Sequence, residues 1–161
     1  MNLDFKYHVR LGAEAEFEFV FDSTKEYRMK TDDAQTRFFL INKGKATMDH
    51  GFIWKFNLSA GAYRFWHGVS LGATYEYAKR DDDRLVPQTN AFDAKVANSA
   101  IWLKESNSHH VIFKATWDGW ECPTAKKWSF APQASLFYKL PIDGRNTILA
   151  HTFGGQLAVN F

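Results

Sequence analysis

LDFKYHVRLGAEAEFEFVF, residues 3–21, is apolar at every odd position from Leu3 to Phe21. Every even position is charged, polar or Gly, except Val20. A period of two belongs to a strand, whose successive side chains point to opposite faces. The stretch therefore predicts β-structure with one greasy face and one wet face. At about 3.3 Å per residue it would extend about 60 Å, twice a bilayer core. It reads either as one strand standing clear at one end or as two strands bent back at Gly12. In the second case a turn over Gly12, Ala13 and Glu14 pairs Leu11 with Ala15. Both arrangements keep the odd residues on one face.

The same period recurs along the chain, and no window of helical spacing competes with it. Residues 23–35 are polar and read as a loop, 36–42 as a short strand, and 43–51 as a turn. In 52–62 the even residues from Phe52 to Ala62 are apolar, whereas in 69–77 the odd residues from Val69 to Tyr77 are. Opposed residues of a hairpin share a face, so this change of parity requires an even-numbered turn, for which Tyr63-Arg64 is the candidate. Residues 79–90 read as a charged loop and 92–103 as an ambiguous strand, followed by a turn over ESNSH. Strands are expected over 110–118, 128–139 and 148–161, with a loop over 119–127 and a Pro/Gly turn over 140–146.

At 161 residues the chain is expected to form one domain, 1–161. A net charge of +2 carries no polybasic footprint for nucleic acid. The single Cys122 excludes an internal disulfide framework. MNLDFKYHVR shows no positive segment leading into an apolar one, so no secretory leader is expected in it. No apolar run is long enough for a transmembrane helix, but a spanning strand needs only about 9–11 residues with every second one apolar.

Alternation serves a soluble barrel as well as a membrane barrel. The apolar faces of 3–21, 52–62 and 69–77 carry no charge. The opposite faces are rich in Ser, Gly, Thr and Asn. Aromatic residues make up 17% of the chain, and Trp66, Tyr75, Tyr77, Trp117, Trp128 and Tyr138 fall near strand ends, as in an interfacial girdle. These features favour a closed antiparallel transmembrane β-barrel of about eight strands. The alternative is a soluble lipocalin-like barrel that binds an apolar ligand inside.

The ending FGGQLAVNF resembles the terminal strand of outer-membrane β-barrel proteins, with Leu157, Val159 and Phe161 at every second position. Thr152, Gly154, Leu157 and Val159 also fit the pattern of the last strand of mitochondrial porins, and Asp143 to Asn146 resembles the turn before it. The resemblance covers about twenty residues. It implies an outer membrane, bacterial or organellar, and recognition of Gly154, Leu157, Val159 and Phe161 by the barrel-assembly machinery.

The wet face supplies the candidate functional residues: Lys6, His8, Arg10, Glu14, Glu16, Glu18, Lys55, Asn57, Glu76 and Lys114. With basic and acidic zones, they are expected to line a narrow pore and to steer ions. An eight-stranded barrel is nearly filled by its own side chains, so a structural barrel with functional loops is equally compatible. Adjacent His109 and His110 should point to opposite faces, and no histidine has metal spacing. No hydrolase or phosphate-loop motif occurs. A lipid-modifying enzyme would need Ser70, Ser129 or Ser135 beside a lumenal His and an acid. No catalytic residue, metal or cofactor is assigned.

Overall fold

The computed structural model describes residues 2–5, 9–36, 40, 42–121 and 130–160. The strands are β1 (Asn2–Phe5), β2 (Val9–Glu18), β3 (Ser23–Arg28), β4 (Lys43–Asp49), β5 (Ile53–Trp66), β6 (Val69–Arg80), β7 (Arg84–Pro87), β8 (Ser106–Asp118), β9 (Ala131–Arg145) and β10 (Thr152–Asn160). One short helix, α1 (Ala94–Ala97), lies between β7 and β8. A seven-stranded sheet has the order β1-β2-β5-β6-β8-β9-β10, and every neighbouring pair is antiparallel. A second sheet has the order β3-β4-β7. The expected all-β antiparallel class is what the structure has. Among the described residues, however, β1 and β10 are edges and do not pair, so the expected closed barrel is not found. Both edge strands run in the same direction.

The opening stretch is two strands, but the bend lies earlier than expected. Phe5 pairs with Val9 and Leu3 with Leu11, so the chain reverses between Phe5 and Val9. Gly12 sits inside β2 opposite Ser59 of β5, and Leu11 and Ala15 lie on one strand. The β5–β6 turn is at His67-Gly68, not Tyr63-Arg64. His67 (φ 46°) and Gly68 (φ 85°) provide the two left-handed residues of a primed hairpin turn, which Gly adopts without steric cost. Between Ala62 and Trp66 the register shifts by a bulge, where Arg64 (φ 53°) donates its N–H to Ser70 Oγ at 3.0 Å. The shift is even, so the predicted change of parity is preserved.

Buried side chains concentrate in the small sheet. Met29, Ala46, Met48, Leu85, Ala97, Ala100 and Leu103 form the core, flanked by Tyr27, Phe92 and Trp102. Four expectations are corrected here. Residues 43–51 hold strand β4, which buries Ala46 and Met48 and turns its lysines outward. The loops 23–35 and 79–90 contain β3 and β7, with Pro87 closing β7, where its missing N–H is tolerated. Residues 92–103 form α1 and a 3-10 turn, Ile101–Leu103. Asp93 Oδ1 caps α1 by accepting the N–H of Lys95 at 2.7 Å. Ala97, Ala100 and Leu103 then recur every third residue and are buried together.

In the large sheet most of the expected turns at ESNSH and 140–146 is strand, from Ser106 on in β8 and up to Arg145 in β9. Pro141 faces His110 next to a register shift, and a bulge accommodates the lost donor. The final strand starts at Thr152 rather than at 148. The short strand expected over 36–42 falls mostly outside the described residues.

The small sheet and α1 cap one end of the large sheet. Arg80 Nη2 donates to Trp102 O at 3.0 Å, and Asp83 N–H to Leu103 O at 2.8 Å. Asp83 Oδ1 accepts the Gly51 N–H at 2.9 Å. Asn98 clamps β7 by accepting from Leu85 N–H and donating to Leu85 O, both at 2.7 Å.

Candidate functional site

Register sorts the large sheet into two faces. Val9, Leu11, Ala13, Ala15 and Phe17 of β2 stand beside the even residues of β5 from Ala62 to Trp54. Ala62 to Phe56 pair with Leu71 to Tyr77 of β6, and Trp54 with Lys79 at the margin; the stripe then passes to Val111, Phe113, Ala115 and Trp117 of β8. The stripe continues through Leu140, Tyr138, Leu136 and Ala134 to Phe153, Leu157 and Val159 of β10. This face is open: Leu136 is 67% exposed and Phe153 and Leu157 are each 85% exposed. It is a continuous apolar surface across six strands.

Aromatic and imidazole rings bound that face on the cap side. Trp54 and Tyr77 meet edge to face at 5.5 Å, and Tyr77 and His109 lie 4.7 Å apart. Tyr75 Oη and His109 Nδ1 share a hydrogen bond of 2.6 Å. Midway along the face, opposite Phe113, Tyr138 Oη and His151 Nδ1 share one of 2.7 Å. At the other end Trp117 Nε1 donates to His67 O at 3.2 Å, and Trp66 is exposed. From His109 to Trp117 the strand rises about 26 Å at about 3.3 Å per residue. Trp128 lies outside the described residues.

The opposite face collects the predicted polar residues. Glu14 pairs in register with Asn57, and Asn57 with Glu76. Glu16 lies opposite Lys55, whose Nζ is 2.9 Å from Glu16 Oε1. Arg10, Gly61, Gly72 and Lys114 form another cross-strand row, and Glu18 continues the face of β2. Arg10 stacks its guanidinium 4.8 Å from the Tyr63 ring. Lys6 and His8 lie outside the described residues. The eight described candidates thus share one face, although they come from four strands.

Lys139 and His110 lie on this face and were not among the candidates. Lys139 of β9 reaches Glu76 Oε1 at 2.6 Å, and His110 Nδ1 lies 3.7 Å from the same oxygen. His110 is 8% exposed, and its Nδ1 has no hydrogen-bond partner among the described residues; nor has Asn57 Oδ1. Alternation in 128–139 already places Lys139 on the polar side. Its meeting with Glu76 depends on strand order and was not visible in sequence. His109 and His110 do point to opposite faces, as expected: one bonds Tyr75, the other faces Glu76.

Hollows open on both faces: Leu11, Leu58, Ala60, Ala73, Tyr75 and Val111, among others, line one of about 520 Å³ on the apolar face. On the polar face Gly12, Ala13, Glu14, Ala15, Asn57, Ser59 and Thr74 surround a hollow of about 610 Å³. A second hollow of about 280 Å³ is lined by Lys114, Thr116, Asp118, Gln133, Ser135 and Gln156, among others. Among the described residues no group of three His, Cys, Asp or Glu is placed to hold a metal ion. Ser70 Oγ is engaged by Arg64 N–H, and Ser129 lies outside the described residues.

Of the terminal-strand residues, Leu157 and Val159 lie on the apolar face and Gly154 on the polar one. A Cβ at Gly154 would come within 2.5 Å of the Phe137 ring, which lies across it from β9. Gly154 thus has a packing reason of its own. Phe161 lies outside the described residues. Comparison of the chain with family models, curated proteins and solved structures yields no match.

Proposed function

We propose that the large sheet is the wall of a small outer-membrane β-barrel, with its apolar face in lipid and its polar face lining a narrow passage for small polar solutes and ions. One observation carries this reading: the apolar face is continuous over six strands and exposed, while the face behind it is polar. A soluble protein seldom leaves so large a contiguous apolar surface in water. The interval of about 26 Å between the two aromatic bands matches the strand length that crosses a hydrocarbon core. The two ends of the sheet also differ. The two-residue turn at His67-Gly68 lies at one end, and the cap of β3, β4, β7 and α1 at the other. In this reading β10 is the strand that the assembly machinery engages, and the wall closes either through a parallel β1–β10 seam or by recruiting a strand of opposite direction.

Extraction and conductance test the proposal. The chain should resist extraction by high salt or carbonate, dissolve in detergent, and form small, discrete conductance steps in a planar bilayer. Purification as a monomer without detergent would overturn the membrane reading in favour of a soluble barrel with the apolar face inside. Tight membrane association without conductance would leave a structural barrel and remove the passage.

A further inference from the structure

Two nitrogens of unequal mobility converge on Glu76 Oε1. Lys139 Nζ lies 2.6 Å from it, and His110 Nδ1 lies 3.7 Å from the same oxygen. His110 stands opposite Glu76 in register, so its ring comes from the adjacent strand β8; Lys139 reaches over from β9, the strand beyond. The side chain of His110 is 10% exposed and that of Lys139 29%. A neutral imidazole with its N–H on Nδ1 presents that donor to the carboxylate and keeps Nε2 to take up a proton.

The charged groups around the ring are few. Glu76 on β6 and Lys139 on β9 face it, while Pro141, its partner on β9, brings no charge. His109 adjoins it in the chain and turns to the other face to bond Tyr75. Beyond Glu76 the polar face carries Asn57 and Glu14, then Lys55 held by Glu16; Lys114 lies farther along β8. When His110 gains a proton, its ring becomes a second cation against a carboxylate that already holds one. The imidazolium attracts Glu76 and repels Lys139, and both effects are stronger where water is scarce. The enclosed ring cannot withdraw. The ammonium can, because a flexible four-carbon stem carries it back to water.

We propose that Glu76, Lys139 and His110 form a proton switch: on protonation His110 takes over Glu76, and Lys139 swings free. The tie between β6 and β9 is then given up, and only the neighbours β6 and β8 stay linked through this carboxylate. The cluster passes from net neutral to net positive, so acidification makes the polar face more attractive to anions. The switch lies on the face opposite the apolar surface, so it stands whether that surface meets lipid or a soluble interior.

The test is a pH titration of the full, isotopically labelled chain by NMR, from about pH 8 to about pH 5, where imidazole takes up its proton. The chain is held in detergent micelles, or in buffer if it proves soluble. Three signals are followed: the His110 ring, the Glu76 carboxyl carbon and the Lys139 side-chain nitrogen. The Lys139 signal should move to the position of a solvated lysine with the midpoint of the His110 ring, while the Glu76 carbon still reads as a carboxylate. In His110→Gln the Lys139 signal should keep its paired position over the whole range, and in Glu76→Gln it should sit at the free position throughout. If His110→Gln does not fold, the wild-type midpoints decide by themselves. A Lys139 signal that stays put while His110 titrates would overturn the switch. So would one that follows the Glu76 carbon instead of the ring, the same movement in His110→Gln, or a His110 ring that takes up no proton in this range.

Discussion

Lys139 on β9 extends over β8 to place its Nζ 2.6 Å from Glu76 Oε1 on β6. The contact ties together strands that are not neighbours, so it braces the curvature of the sheet as well as pairing two charges. Both side chains are about a quarter exposed, which places the pair between a surface ion pair and a buried one. A double-mutant cycle of Lys139→Met and Glu76→Gln, read by urea unfolding, should give a coupling of about 1 kcal/mol that shrinks with added salt. A coupling indistinguishable from zero would mean the pair does not brace the sheet.

The two faces predict opposite tolerance to charge. Leu58 lies mid-strand on the apolar face and Ser59 on the polar one. In a bilayer Leu58→Arg should cost about 2–4 kcal/mol near the midplane, and Ser59→Arg much less. Refolding into lipid vesicles measures both. Equal costs would dissolve the distinction between lipid side and water side.

Asn98 holds the cap together through a single side chain. Its amide accepts from Leu85 N–H and donates to Leu85 O and Ala94 O, all at 2.7 Å. Asn98→Ala leaves those backbone groups of β7 and α1 without partners, which should cost about 1–3 kcal/mol. Hydrogen exchange should then quicken from Leu85 to Leu103 while β8 and β9 keep their protection. Protection lost equally across the large sheet would show that cap and sheet unfold as one unit.

The terminal strand makes a paired prediction. Leu157 is 85% exposed on the apolar face, and its neighbour Gln156 faces the polar side. Leu157→Asp should block membrane assembly, while Gln156→Asp should be tolerated. Normal insertion of Leu157→Asp would detach β10 from any role in assembly.

The period-two pattern was enough to place most strands of the large sheet and to decide which residues share a face. Side-chain direction in a strand is fixed by position alone, so Glu14, Asn57, Glu76 and Lys114 could be grouped before their strands were ordered. The parity change between 52–62 and 69–77 required an even-numbered turn, and the hairpin has one, at His67-Gly68 rather than Tyr63-Arg64. What the pattern missed was short and locally ambiguous. Strand β4 was hidden because Gly44, Ala46 and Met48 alternate with lysines in a stretch that reads as a turn. The segment 92–103 was misread because its helical spacing extends over too few residues to outweigh the surrounding strand bias. Only the tertiary structure brought Lys139 to Glu76, His110 beside them, and the cap onto Arg80 and Asp83. Those contacts join residues far apart in the chain, and strand order decides them; local alternation specifies a face but never which strand lies next to it.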